Sequence, residues 1–237
     1  MPLLSLNVVM PMAGGGKRLA HLGHKPLIEI GGRPMVEWAV KSLGIEGRYI
    51  FVVQKAHEYE LMPILRKMRP DCIIIPLHHM TQGAAETVLA ARRYIDSDVP
   101  LVTANCDQYL EWTPSDFIRK ASPNGSILTY TMTEPDGSFC ILDDEEVVRV
   151  AEKEVISNIG TVGVYHFGAG KNFVKAAEKM IQKDIRVNGE FYLLPVYNEL
   201  IAMGLKPNIY HLPSTERHVW RIGIQRELDE FLDYQRQ

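Results

Sequence analysis

The feature that most restricts this chain is a short apolar run, Leu6 to Met10, that leads into Gly14-Gly15-Gly16 and then Lys17 and Arg18. Such a run is too short for a buried helix and suits a strand enclosed on both faces, and the glycines then demand a tight loop. Glycine lets backbone N–H groups turn toward an anion with no Cβ in the way, while lysine and arginine add charge and a guanidinium fork. From Gly14 to Arg33 there are four basic residues (Lys17, Arg18, Lys25, Arg33) against one acid, Glu29, in a chain of formal charge -3. The pattern points to a local phosphate site in an otherwise acidic protein.

Beyond the loop, short apolar runs alternate with segments of helical period. Strands are expected at Tyr49 to Val53, Cys72 to Pro76 and Leu101 to Ala104, and helices at Pro34 to Leu43, His57 to Met68 and Ala84 to Ile95. This alternation predicts an α/β fold with a mostly parallel sheet covered by helices on both faces. Thr113-Pro114-Ser115-Asp116 supplies a cap, a proline at the first helical position and an acid in the first turn, for a helix through Ala121. Strand-like Ser126 to Met132 follows. From Glu134 the grammar changes: Phe139 to Leu142 and Val147 to Val150 flank an acidic turn and read as a hairpin, so the sheet is expected to be mixed. A strand at Thr161 to Phe167, helices at Asn172 to Gln182 and Phe191 to Met203, a strand at Asn208 to Leu212 and a helix at Glu227 to Tyr234 complete the reading.

At 237 residues with no linker or repeat, a single domain is expected, with residues 1–133 as a nucleotide-binding part and 134–237 as an acceptor-binding part. The charge gives no footprint for nucleic acid or an anionic membrane, and no stretch approaches the ~20 apolar residues of a membrane span. Cys72, Cys106 and Cys140 lack metal-ligand spacing and read as buried thiols in a cytoplasmic protein.

Two common phosphate motifs fit poorly. A Walker loop would follow Gly-Lys with Ser or Thr, whereas Gly16-Lys17 is followed by Arg18; a dinucleotide loop would open directly into a helix, whereas Pro26 and Gly31-Gly32 intervene. The segment MPMAGGGKRL followed by KPLIEIGGRPMVEWAVKSL instead resembles the opening of the sugar-1-phosphate nucleotidyltransferase family. The resemblance continues, in the family's order, through Thr81-Gln82-Gly83-Ala84-Ala85, Asn105-Cys106-Asp107, Glu152-Lys153 with Ser157-Asn158, and Gly189-Glu190-Phe191-Tyr192. It implies a Rossmann-like, three-layer α/β/α nucleotidyltransferase fold (GT-A-like) with a mixed, mostly parallel central sheet.

The resemblance also implies a reaction, attack of a phosphate monoester on the α-phosphorus of a nucleoside triphosphate with release of pyrophosphate. The acceptor's second pKa near 6 leaves it largely dianionic at neutral pH, so positioning and charge neutralisation carry the catalysis and no base is required. By resemblance, Ala13, Gly14, Gly15, Gly16 and Lys17 would wrap the triphosphate, Arg18 would hold its β- and γ-phosphates and Lys25 would stabilise the transferring phosphoryl. Asp107 would hold Mg2+, Gln82, Gly83 and Asn105 would face the nucleotide, and Glu152, Lys153, Asn158 and Glu190 would contact the acceptor. Glu86 stands where thymidylyl enzymes carry a base-contacting glutamine. It either accepts a hydrogen bond from an exocyclic amine such as cytosine's or faces solvent.

Many relatives place a second metal-binding Asp after a tryptophan; here Trp220 is followed by Arg221, which cannot ligate magnesium. Asp107 then acts with phosphates and waters, or Arg221 contacts phosphate, or activity is lost. The reading expects a magnesium-dependent transferase using CTP and a phosphorylated sugar or other small metabolite for capsule or lipopolysaccharide precursors, and allows a homo-oligomer. The alternatives are a glycosyltransferase, for which Asn105-Cys106-Asp107 lacks the first acid of the usual Asp-x-Asp, and a non-catalytic nucleotide-binding regulator.

Overall fold

A computed structural model describes residues 6–14 and 17–236, with the side chains of Lys17, Arg18 and Ala20 left out. Strand β1 (Asn7–Met12) is followed by 3-10 turns at Lys17–Leu22 and Lys25–Leu27 and a two-residue ribbon, β2 (Glu29–Ile30) and β3 (Arg33–Pro34). Next come α1 (Met35–Leu43), β4 (Arg48–Gln54), α2 (Glu58–Met68), β5 (Ile73–Leu77), α3 (Ala84–Leu89), α4 (Arg92–Ile95) and β6 (Leu101–Ala104). The middle of the chain forms β7 (Tyr109–Leu110), α5 (Pro114–Lys120), β8 (Ser126–Thr131), β9 (Ser138–Asp143), β10 (Glu146–Glu152) and β11 (Ile159–Phe167). It closes with α6 (Gly170–Gln182), α7 (Val196–Ala202), β12 (Asn208–His211), β13 (Val219–Trp220) and α8 (Gln225–Tyr234).

Nine strands form one sheet in the order β5-β4-β1-β6-β11-β8-β12-β10-β9. Following the pairings across it, only β11 and β10 run against the rest, so the sheet is mixed but mostly parallel, as the sequence predicts. It continues without a break across residues 133 and 134, because β8 lies between β11 and β12.

Alternation along each strand builds two apolar layers. One face of β1, β4 and β6 (Val8, Met10, Phe51, Val102) packs with α1, α2 and α5 through Val36, Leu61 and Phe117. The other face (Val9, Ile50, Val52, Leu101) meets α3, α6 and α7 through Val88, Phe173 and Leu200. A smaller cluster of Leu19, Ile28, Met35, Trp220 and Phe231 seats α8 against the start of α1.

Three elements depart from expectation. Ala84 to Ile95 is two short helices, because the N–H groups of Ala90 and Ala91 turn to the carbonyls of Thr87 and Val88, tightening the last turn of α3. The Thr113 hydroxyl makes no capping bond, leaving Pro114 to start α5. The helix expected from Phe191 begins only at Val196, since the Phe191 backbone is engaged elsewhere and Pro195 biases the residue before it away from helical geometry.

The order places β4 and β5 on one side of β1 and β6 on the other. The chain therefore reverses its winding between β1 and β6, and a crevice opens beyond their carboxyl ends, where open α/β sheets bind ligands. Pro11 falls beyond the β1–β6 pairing, which spans only Asn7 to Val9, so its missing N–H breaks no bond to β6.

Candidate active site

Both walls of this crevice carry residues singled out from the sequence. Beyond β1, the carbonyls of Ala13 and Gly14 each accept a hydrogen bond from Gln54 Nε2, at 3.1 and 3.2 Å. Gln54, the last residue of β4, thus anchors the start of the loop. Gly15 and Gly16 lie outside the described residues, as do the side chains of Lys17 and Arg18. Beyond β6, Asn105 and Cys106 lead to Asp107. Lys25 crosses from the first wall and its Nζ lies 2.5 Å from Asp107 Oδ2. Both side chains are partly open, about a quarter exposed, so a ligand can reach them.

Asp107 is held from behind. Its carbonyl accepts the Gly223 N–H at 3.1 Å, and a Cβ added at Gly223 would lie 2.9 Å from Asp107 Cβ and Cγ and closer still to Oδ2. Glycine at 223 therefore leaves room for this carboxylate. Asn105 does not project freely. Its N–H bonds to Gly163 O at 3.1 Å and its side chain packs over Gly163 of β11, filling the space a Cβ would need. Burial pushes the Cys106 thiol up to about 12, so it stays protonated at neutral pH.

Arg221 points away from the metal role of its counterpart in relatives. Its N–H donates to Glu227 Oε2 at 2.9 Å, its Nε to Glu227 Oε1 at 2.6 Å, and its Nη2 pairs with the same carboxylate. Glu227 is buried, and a buried carboxylate requires such a partner. The remaining arm, Nη1, lies 3.5 Å from Asp136 Oδ1. Burial disfavours the Arg221 charge, but its hydrogen bond to Glu227 together with the nearby charges of Glu227 and Asp136 raises its pKa. Beside this pair opens a cleft of about 380 Å³ bordered by Tyr130, Glu134, Arg217 and Arg226. None of Lys25, Asp107 and Lys153 lines it.

Lys153 meets the same turn from the other side. Its N–H donates to Gly137 O at 2.8 Å and its Nζ to the Asp136 carbonyl, with φ at 60°, an uncommon conformation for a lysine. Its neighbour Glu152 is buried and accepts a 2.7 Å hydrogen bond from Ser138 Oγ. Asn158 is exposed, and its carbonyl accepts from Met132 N–H at 3.1 Å. The structure thus brings Lys25 and Asp107 into contact and joins Lys153 and Arg221 through the Asp136 turn.

A second group forms around Gln82 and Gly83. A Cβ at Gly83 would sit 2.5 Å from Phe191 N, and φ there is 148°. The glycine admits the Phe191 backbone, whose N–H bonds to Gln82 O at 2.8 Å and whose carbonyl accepts from Ala85 N–H at 3.0 Å. This contact accounts for Gly83 without a nucleotide base. Glu86 does not simply face solvent: Oε2 accepts the Gln82 N–H at 2.6 Å, satisfying a donor just before α3. Asn188 and Gly189, both at positive φ, form a tight turn rather than a helix cap, and Glu190 pairs with Val187 on its exposed end, beside the Gln82 loop. Gln54, Asp136, Gly223 and Glu227 are not legible as site residues in the sequence. Only Glu227, an acid in the first turn of a helix, carried a local signal, and that signal reads as ordinary dipole stabilisation.

A family model described as the MobA-like NTP transferase domain matches residues 8–148. Among curated relatives, the bifunctional protein GlmU of Acetivibrio thermocellus is 27% identical over 225 residues, covering 85% of this chain and 45% of that protein. The GlmU of Thermotoga maritima is 25% identical over 206 residues, 81% of this chain and 44% of its own length. The chain therefore spans less than half the length of these relatives. Its fold matches the nucleoside-diphosphate-sugar pyrophosphorylase from Vibrio cholerae RC9 with TM-score 0.81 at 24% identity, over 95% of this chain and 99% of that one. It also matches the inositol-1-phosphate CTP transferase from T. maritima with TM-score 0.75 at 14% identity, over 97% and 94% of the two chains. With the motif order, the mixed sheet and the match over residues 8–148 in agreement, the chain belongs to the MobA-like NTP transferase domain family.

Proposed function

We propose that the protein transfers a nucleoside monophosphate from a nucleoside triphosphate to a phosphorylated sugar or other small phosphorylated metabolite, releasing pyrophosphate. The observation that carries this reading is the meeting of Lys25 and Asp107 across the crevice between β1 and β6, beside the glycine loop. Loop N–H groups with Lys17 and Arg18 would receive the triphosphate. Lys25 would share its charge between Asp107 and the phosphoryl in transfer. Lys153 would turn from the Asp136 carbonyl to the acceptor's phosphate, which enters as a dianion and needs no proton removed.

The donors present fit magnesium. Asp107 offers hard carboxylate oxygens at a partly exposed position, with Oδ2 beside Lys25, and magnesium binds through one or two carboxylates with phosphates and waters completing its shell. When bound, the ion would neutralise phosphate charge. Arg221, already paired with Glu227, would shape the Asp136 turn rather than replace a ligand.

CTP is the proposed donor, supported by Glu86 standing where thymidylyl enzymes carry a glutamine. The fold neighbour from T. maritima is an inositol-1-phosphate CTP transferase, in keeping with this choice. A precursor for capsule or lipopolysaccharide is the corresponding product. No helix among the described residues is long and apolar enough to cross a membrane, and we place the reaction in the cytoplasm. The test is pyrophosphate release with magnesium, pairing CTP, UTP, GTP, ATP and dTTP with phosphorylated sugars, amino alcohols and amino acids. Turnover with one pair identifies both substrates; release of free nucleoside diphosphate from a nucleotide sugar would point to a glycosyltransferase instead.

A further inference from the structure

Gln82 stands on the loop between β5 and α3, and α3 packs across β1. Its side-chain amide is held by a residue far away in sequence. Arg186 donates from Nη2 to Gln82 Oε1 at 2.8 Å. The guanidinium is itself fixed on three further sides. Nε donates to Asp184 Oδ1 at 2.5 Å, Nη1 donates to Gly189 O at 3.1 Å, and the group lies 3.9 Å from the centroid of the Phe191 ring. Phe191 in turn holds the Gln82 carbonyl, and Glu86 holds the Gln82 N–H, so loop backbone and side chain are fixed together.

A guanidinium can only donate, so the Gln82 amide oxygen must face Arg186 and its Nε2 hydrogens must face away. An unclamped glutamine can turn its amide over and serve either a donor or an acceptor on a ligand. Here one orientation is selected before any ligand arrives.

We propose that Arg186 is a positioning residue for nucleotide recognition: it fixes the Gln82 amide as a hydrogen-bond donor, so that the site selects bases offering an acceptor at that point. The proposal rests on the reading of Gln82 as lying at the base. A base with a donor there meets two opposed N–H groups and gains no hydrogen bond from Gln82, whereas a base with an acceptor does.

The test is calorimetric binding of CTP, UTP, GTP, ATP and dTTP, with magnesium, to the unaltered protein and to Gln82→Leu, Arg186→Ala, Arg186→Lys and the Gln82→Leu/Arg186→Ala double variant. Arg186→Ala is expected to weaken binding of the preferred nucleotide about tenfold and the others less, narrowing the preference. Arg186→Lys, which keeps the charge but not the fork, is expected to behave similarly. In the Gln82→Leu background, removal of Arg186 is expected to cost nothing further. Losses that add in the double variant, or that fall equally on all five nucleotides, would overturn the proposal and reduce Arg186 to a packing residue. If the unaltered protein turns over a substrate pair yet shows such additivity, only the clamp fails. If it binds none of the five nucleotides, the transferase reading fails with it.

Discussion

Replacing Gly223 with alanine tests whether the Asp107 carboxylate works through its position. The new Cβ would lie 2.9 Å from Asp107 Cβ and Cγ and nearer to Oδ2. Ordinary contact begins near 3.4 Å, so the carbons must retreat by about 0.5 Å and the carboxylate by about 1 Å. Gly223 has no positive φ, so alanine fits the backbone and the strain falls on the Asp107 side chain. An off-rotamer shift of that kind costs roughly 0.5–1.5 kcal/mol, and weakening the partly exposed pair with Lys25 adds at most about 1 kcal/mol. In a chain of this size the combined loss lowers Tm by about 1–10 °C. A misplacement of about 1 Å at a reacting centre costs on the order of 100-fold in rate. Pyrophosphate release at saturating substrates should therefore fall about 100-fold while the protein stays folded at the assay temperature. Undiminished kcat in a correctly folded Gly223→Ala protein would refute the positional argument.

Other perturbations act on separate parts of the structure. Gly83→Ala sets a Cβ 2.5 Å from backbone atoms of Phe191 at an unfavourable φ, and should cost about 3 kcal/mol or more by urea unfolding, a stability defect rather than a nucleotide-specific one. Glu227→Gln removes the buried charge that pairs with Arg221 and should destabilise by about 3 kcal/mol, measured by the same method, because it leaves a half-buried guanidinium poorly compensated. His166 is buried and its pKa is lowered to about 4 by that burial, so the unfolded chain binds its proton more readily. Its contribution is complete above pH 6.5 and is lost as pH falls toward 4. From pH 7 to 5 it should remove about 2 kcal/mol, and His166→Leu should show a pH dependence of stability weaker by that amount.

What the sequence made legible follows the range of the interactions. The apolar run before the glycines, the strand before Asp107 and the hairpin around Asp144 are local patterns, and all three fold as read. The residues from Phe191 to Pro195 read as helix in the sequence, yet the helix begins only at Val196. Their backbone instead serves the Gln82 loop, a contact across more than a hundred residues that no local pattern reports. Arg221 shows the same limit. Its identity declared that it could not ligate a cation, but its partner Glu227 became evident only once β13 and α8 were folded together. The requirement for glycine at 223 likewise comes from Asp107, on a different strand end.

The most direct measurement is single-turnover pyrophosphate release by Lys25→Ala and Asp107→Ala beside the unaltered protein, with the substrate pair found by screening. If these two side chains form the transfer centre, both variants should fold, bind the triphosphate and lose 100-fold or more of the chemical rate, on the order expected for removal of a preorganised charge. Near-normal chemistry in either folded variant would contradict the account and move the reaction away from the crevice between β1 and β6.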